Sequence, residues 1–188
     1  VGRRNSIDFS KDGSKLYLLT DTTPRVIEQY SLSTAFDVTT KSLAKTIQTD
    51  FDNDRKIRFS DDGSKLFIQG ADNSRDTQIT TLNLSTPFEI DTVSSSTVNS
   101  LGISARQSFD ISSDGTRIYI SDTSEVVTQF NLSTPFDVST ATLTKSKNFA
   151  PNQLICSHIS DNGELIQFSS PEFSNEIIKQ YRLSTPFE

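Results

Sequence analysis

The sequence has no methionine, no tryptophan, one cysteine and one histidine in 188 residues. A lone Cys156 excludes an internal disulfide framework. A lone His158 means that any histidine-based triad has to use it, and no Gly-x-Ser-x-Gly elbow accompanies it. Cys156 and His158 together are too few ligands for a closed zinc site. No segment approaches the roughly 20 apolar residues of a membrane-spanning helix. Basic residues are also in deficit, 18 against 24 acidic, for a net charge of -6. That balance disfavours nucleic acid and anionic membrane surfaces, both of which need basic patches. The chain opens Val-Gly-Arg-Arg without a methionine or a signal peptide, so a fragment or processed product is expected.

Repetition fills the space these absences leave. Ser-Lys-Asp-Gly-Ser-Lys-Leu-Tyr (10–17) returns as Ser-Asp-Asp-Gly-Ser-Lys-Leu-Phe (60–67) and Ser-Ser-Asp-Gly-Thr-Arg-Ile-Tyr (112–119), with a degraded copy at 160–166. A second motif alternates with it: Leu-Ser-Thr-Ala-Phe-Asp (32–37), then Leu-Ser-Thr-Pro-Phe-Glu/Asp at 84–89, 132–137 and 183–188. A period near 50 residues indicates a stacked or radial repeat architecture.

Each Asp-Gly or Asn-Gly pair joins two short β-rich runs, strand a before it (6–9, 56–59, 108–111, 156–159) and strand b after it (16–19, 66–68, 118–120, 165–168). Glycine supplies the positive φ that a tight hairpin turn needs. Strand b is apolar on both faces and is expected to be buried on both. A third, alternating run, strand c, covers 26–32, 79–84, 126–132 and 177–183. It ends in the Ser-Thr-Pro-Phe motif. There Thr fits an N-cap, Pro a first helical position, and the following acid can reach back to the cap. One helical turn or tight turn is expected there, with Phe36, Phe88, Phe136 and Phe187 turned inward. Strand d is expected at 42–47, 91–96 and 141–146, with no fourth copy. The composition rules out helical repeats, and a β-solenoid is the structural alternative.

Four short antiparallel strands per unit is the content of a β-propeller blade. The Phe-Ser-x-Asp-Gly-x-Lys-Leu-Tyr pattern of 9–17 and 59–67 resembles the repeat of the YVTN and PD40 (WD40-like, TolB-type) propellers. The Leu-Ser-Thr-Pro-Phe-Asp segment is more similar to repeats of marine microbial or phage surface proteins. The resemblance implies an all-β propeller, with blades at about 1–48, 49–100, 101–148 and 149–188, forming one domain or an arc of a larger ring. It says little about activity, because such propellers include enzymes, scaffolds and lectins.

Spacing separates the two edges of the blades. From the Leu of Leu-Ser-Thr to the next hairpin Asp or Asn is always 30 residues, whereas from hairpin to the next Leu-Ser-Thr is 20, 22, 18 and 21. All length variation therefore lies between strands b and c, on the edge shared with the d–a loops. Loops on a rigid scaffold are where binding residues concentrate. Arg25, Asp72, Asn73, Arg75, Glu125, Phe173 and Asn175 are the candidate binding residues; unconstrained drift in loop length is the competing explanation.

Asp8, Arg58, Asp110 and His158 occupy equivalent positions on strand a, which lines the axis of a propeller. They are expected either to form an axial polar site or to pair between blades and set their register. The Cys156–His158 pair reads as structural, because same-face neighbours two residues apart are too distant for a dyad. The acids at 50–54 and 61–62 lack the oxygen pattern of a calcium loop and read as solvated turns.

The expected function is that of a non-enzymatic recognition module without cofactor or metal. It would bind a protein or glycan surface in an extracellular or virion setting. A structural subunit of a larger assembly is the alternative, and a lactonase-like enzyme the least favoured.

Overall fold

The computed structural model describes residues 4–22, 24–49, 55–71, 76–104, 108–122, 126–148, 156–160, 162–172 and 175–185. The first sheet contains β1 (Arg4–Phe9), β2 (Lys15–Thr20), β3 (Val26–Leu32) and β4 (Lys41–Gln48). The second contains β5 (Lys56–Phe59), β6 (Lys65–Ala71), β7 (Thr77–Leu84) and β8 (Val93–Ser100). The third contains β9 (Ser108–Ile111), β10 (Arg117–Ser121), β11 (Val126–Leu132) and β12 (Ala141–Asn148). The fourth has three strands among the described residues, β13 (Cys156–Ile159), β14 (Leu165–Glu172) and β15 (Asn175–Arg182). In every sheet each strand pairs with its neighbours in sequence, all antiparallel. This is a β-propeller fold with one sheet per blade, and it falls into two compact units, Val1–Ser100 and Leu101–Glu188.

The second strand of each of the first three sheets carries the core, as its double-sided apolar pattern predicts, whereas in the fourth Ile166 is buried and Gln167 exposed. Leu16, Tyr17 and Leu19 in β2, Leu66, Phe67 and Ile68 in β6, and Ile118, Tyr119 and Ile120 in β10 are all buried. In the first unit Tyr17, Leu19 and Ile27 from one sheet pack on Ile57, Phe59, Leu66, Ile68, Leu84 and Ile90 from the next. In the second unit Tyr119 and Val127 pack on Ile159 and Ile166. Each fully buried aliphatic or aromatic side chain of this kind contributes about 1.5–3 kcal/mol. The fourth strand of each complete sheet is almost wholly exposed, which explains its Ser-, Thr- and Lys-rich composition.

The Ser-x-Asp-Gly-Ser/Thr signature is built around the aspartate. Asp12 Oδ1 accepts from the Ser10 hydroxyl at 2.6 Å and from the Ser14 amide at 3.0 Å, while the Ser10 hydroxyl oxygen accepts from the Lys15 amide at 2.9 Å. The same bonds recur about Asp62 and Asp114. The degraded copy keeps them with a neutral acceptor, Asn162.

The two sequence motifs meet at one edge of each sheet. The Phe36 amide donates to the Gly13 carbonyl, Phe88 to Gly63 and Phe136 to Gly115, at 2.9, 2.9 and 2.8 Å. These phenylalanines adopt φ of 61°, 60° and 60°, a left-handed conformation that bulky residues rarely take. Each ring lies directly on its glycine: a Cβ on Gly13, Gly63 or Gly115 would come within 2.4, 2.2 and 2.4 Å of it. The glycines, at φ of 69–70°, are thus required both for the turn and for the ring.

This geometry corrects the expected capping. The helical turn begins after the acid, as 3-10 turns at Val38–Thr40, Ile90–Thr92 and Val138–Thr140. Asp37 and Asp137 are the caps, accepting from the amides of Thr39 and Ser139, while Thr34 and Thr134 are not. The following outer strand therefore starts at Val93 rather than at 91 in the second sheet. Phe36 is not turned inward but is 59% exposed, and Phe187 lies outside the described residues.

Gly63→Ala is expected to destabilise the first unit by about 2–4 kcal/mol, from φ strain plus the clash with Phe88. Gly102 also has positive φ but meets nothing within 4 Å, so Gly102→Ala is expected to cost only about 1 kcal/mol. Urea unfolding of both variants checks the difference; equal losses would show that the ring contact is unimportant.

Candidate functional site

The variable edge is described in part. In the first sheet the b–c connection is tied to itself. Arg25 Nη2 lies 2.9 Å from Asp21 Oδ1, and the Thr22 hydroxyl donates to the Pro24 carbonyl. The Arg25 carbonyl accepts from the Thr49 amide at 3.0 Å, which joins the b–c loop to the end of the outer strand. Arg25 is thus partly buried, its side chain 17% exposed, and its guanidinium faces a carboxylate of its own loop. Asn175 pairs through its backbone with Glu172 at the β14–β15 turn; its side chain is not described. Asp72, Asn73, Arg75, Glu125 and Phe173 lie outside the described residues, as do Asp52, Asn53 and Asp54. Among the described residues no cluster of three or more His, Cys, Asp or Glu groups could hold a metal, and no helix is long and apolar enough to cross a membrane.

The strand-a residues are brought together in pairs. Asp8 is 8% exposed. Its Oδ1 accepts from the Phe9 amide at 3.0 Å and faces Arg58 Nη1 at 3.2 Å, while Oδ2 accepts from the Phe59 amide at 2.9 Å. The second unit repeats the arrangement. Asp110, 1% exposed, accepts from the amides of Ile111 at 3.0 Å and Ile159 at 2.9 Å, and its Oδ2 lies 2.9 Å from His158 Nδ1. Strand a is the edge strand of its sheet, and its outward amides have no ladder partner. The carboxylate of one sheet satisfies an amide of the next and orients the Arg58 or His158 side chain beside it, a way of closing an edge without a further strand. Chemically, each pair is a bridge between neighbouring sheets, with both carboxylate oxygens already accepting.

A second inter-sheet joint was not evident from the sequence. In the first unit Glu89, displaced from the capping role, reaches the preceding sheet. It meets Lys15 Nζ at 2.8 Å and Lys45, and accepts from the Gln29 amide nitrogen at 3.0 Å. Gln29 Oε1 in turn accepts from the Ile90 amide at 3.1 Å, and the Tyr17 hydroxyl donates to the Phe88 carbonyl at 2.6 Å. Burial, together with the nearby Glu89, Asp8 and Asp12 carboxylates, pushes the Tyr17 phenol upward and keeps it a donor. Partial burial alone would raise the Glu89 carboxyl, but bonds from Lys15, Lys45 and Gln29 outweigh it and hold the group at about 2, below the ordinary 4.5. The signal in the sequence was the recurrence of Tyr, Gln and Lys at 17, 29 and 45 and again at 119, 129 and 145.

In the second unit these last three residues, with Lys147, Arg182 and the apolar Ile166, line a cavity of about 520 Å³. One of its three cations, Arg182, already faces Glu164 Oε2 at 3.2 Å.

No family model and no curated protein matches the sequence. Among solved structures the chain is similar to the Cps50 (Swd1) β-propeller domain of Myceliophteria thermophila, with a TM-score of 0.61 and 11% identity over 97% of this chain and 55% of that one. At that identity the likeness is one of fold, a β-propeller. The chain spans about half the length of the domain it matches.

Asp110→Ala leaves a buried amide and the His158 ring without their shared acceptor, and is expected to cost about 3–5 kcal/mol. His158→Ala, at a half-exposed position, is expected to cost under about 1 kcal/mol. Chemical denaturation of both variants decides the matter, since a bridge whose worth lay in the Asp110–His158 contact would lose equally from either side. A carboxyl whose folded pKa is depressed stabilises the fold above its unfolded pKa and loses that contribution as pH falls through the folded value. The Glu89 joint is therefore expected to weaken as pH drops from 4.5 toward about 2. Glu89→Gln should flatten that part of the stability–pH curve, measured by thermal unfolding across the acid range.

Proposed function

We propose that the chain is a non-enzymatic recognition module whose b–c and d–a loop edge contacts a protein or glycan surface. The observation that carries this reading is the division of labour between the two edges. The turn edge is fixed copy by copy through Gly13–Phe36, Gly63–Phe88 and Gly115–Phe136. The opposite edge holds every difference in length between copies. A frame with one invariant edge can vary the other without loss of fold. The polar groups found convergent, Asp8 with Arg58 and Asp110 with His158, have their carboxylates occupied by backbone amides and neighbouring side chains, which supports recognition over catalysis. An extracellular or virion surface is part of the same proposal, and its support is the weaker motif likeness to marine microbial and phage surface repeats.

The test is a binding screen of the intact chain against glycan arrays and surface-protein extracts. It is followed by Arg25→Ala, Arg75→Ala and Phe173→Ala combined on the loop edge, and by Lys11→Ala with Asp61→Ala on the turn edge. Loss of binding of at least about tenfold in the loop variant alone is expected. Equal effects from both edges, or no binding in either screen, would contradict the reading.

A further inference from the structure

The second sheet departs from the repeat at one cross-strand pair. The pairings Leu16↔Tyr30, Ile118↔Phe130 and Ile166↔Tyr181 place an aromatic residue of strand c beside an aliphatic residue of strand b. In the second sheet the same pairing is Leu66↔Leu82. Across the outer strand the aromatic residue meets a leucine in the first and third sheets, as Tyr30↔Leu43 and Phe130↔Leu143, whereas Leu82 meets Ser96. Volume is thus lost from both members of the pair, on the face of the second sheet that packs against the first. A cavity of about 100 Å³ lies on that face, floored by Ile68, Leu82 and Val98 and edged by Thr80 and Ser96. Gln48 and Thr49, at the end of the first sheet's outer strand, line it from the other side. Both sheets belong to the first unit, and the Asp8 and Glu89 joints hold them together.

We propose that this cavity binds the hydroxymethyl edge of a neutral hexose at the end of a glycan. Thr49 is 8% exposed, and its Oγ1 is buried without a hydrogen-bond partner among the described residues. Its backbone amide donates to the Arg25 carbonyl at 3.0 Å, which fixes the residue at the cavity wall. A buried hydroxyl without a partner is costly, so the fitting occupant brings a hydrogen-bonding group to it. Among the described residues that line the cavity none is charged. A carboxylate, phosphate or ammonium group would enter without a counter-ion, so the occupant is neutral. An aliphatic side chain of a protein partner would match Ile68, Leu82 and Val98 but leave the Thr49 hydroxyl unsatisfied. A hydroxymethyl group on its ring carbon meets both demands. Its C–H groups lie on the apolar floor, and its hydroxyl reaches the hydroxyls and the Gln48 amide around the rim. An apolar wall with a few convergent polar groups is the common make-up of a small-molecule site. The volume suits several waters or a group of that size, so one edge of the sugar enters and the anomeric carbon, where a glycan chain continues, stays outside. The inference does not rest on the loop-edge reading, because the site is built from strands and from the end of β4.

Titration of the intact chain with the methyl glycosides of glucose, galactose and mannose, followed by amide NMR, tests the site. Methyl glucuronide, with a carboxylate in place of the hydroxymethyl group, and isobutanol are the charged and the apolar comparisons. At least one neutral glycoside is expected to shift the amides of Gln48, Thr49, Thr80 and Ser96 with a Kd of about 1–10 mM, while the two comparisons leave them in place. Leu82→Phe restores the aromatic residue of the other sheets and fills the cavity. It is expected to weaken binding at least about tenfold, with circular dichroism unchanged. Thr49→Val keeps the shape and removes the hydroxyl. It is expected to weaken binding about three- to tenfold without lowering the melting temperature, because that hydroxyl has no partner to lose. No shift with any of the three neutral glycosides up to about 100 mM overturns the proposal. So does binding that survives either substitution undiminished, or a response to methyl glucuronide equal to that of the neutral glycosides. A response to isobutanol alone also overturns it, and would identify the cavity as the seat of a protein side chain.

Discussion

The contact between each phenylalanine of the Ser-Thr-x-Phe segment and the glycine of its own hairpin turn is the constraint on which the rest depends. One backbone hydrogen bond and one ring laid on a Cα fix the a–b turn against the c–d turn, at opposite sides of the sheet in sequence but at the same edge in space. The ring can reach the glycine only because the phenylalanine takes a left-handed φ, and the turn can close only because the glycine does. Two sparse conformations thus support each other, which is how strained backbone persists in a stable fold. With that edge fixed, strands a, b and c have a set register, and the two-sided apolar face of strand b is held where the next sheet can cover it.

Much of this was legible in the residues. The Asp-Gly pairs gave the hairpins, since positive φ at Gly13, Gly63, Gly115 and Gly163 is what such turns need. The double-sided apolar runs at 16–19, 66–68 and 118–120 mark the buried strands, and the structure extends the first and third by one residue at each end and the second to Ala71. The capping of the short helical turn was misread because Thr-Pro followed by an acid fits a capping box locally. That reading ignores the tertiary bond from the phenylalanine amide to a glycine more than 20 residues earlier in sequence, which rotates the segment so that the acid becomes the cap.

The joints between sheets were legible as positions and not as partners. Asp8, Arg58, Asp110 and His158 share a register on strand a, and this much is arithmetic. That each aspartate also takes a backbone amide of the following sheet depends on the distance between sheets, which no single strand encodes. The Glu89 joint illustrates the same limit. Asp37, Glu89 and Asp137 are equivalent in sequence, yet Asp37 and Asp137 cap their own turns while the longer Glu89 reaches Lys15, Lys45 and Gln29. One methylene decides between a local and a long-range partner. The functional edge was the least legible part, because loops that differ from copy to copy carry no repeat by which to align them.

Native-state hydrogen exchange, resolved by residue, addresses the central claim most directly. If the turn edge is clamped, the amides of Phe36, Phe88 and Phe136 exchange as slowly as the central strands β2, β6 and β10, although they lie in connecting segments, while amides of the b–c connections exchange orders of magnitude faster. Exchange of the three phenylalanine amides at loop rates would contradict the account.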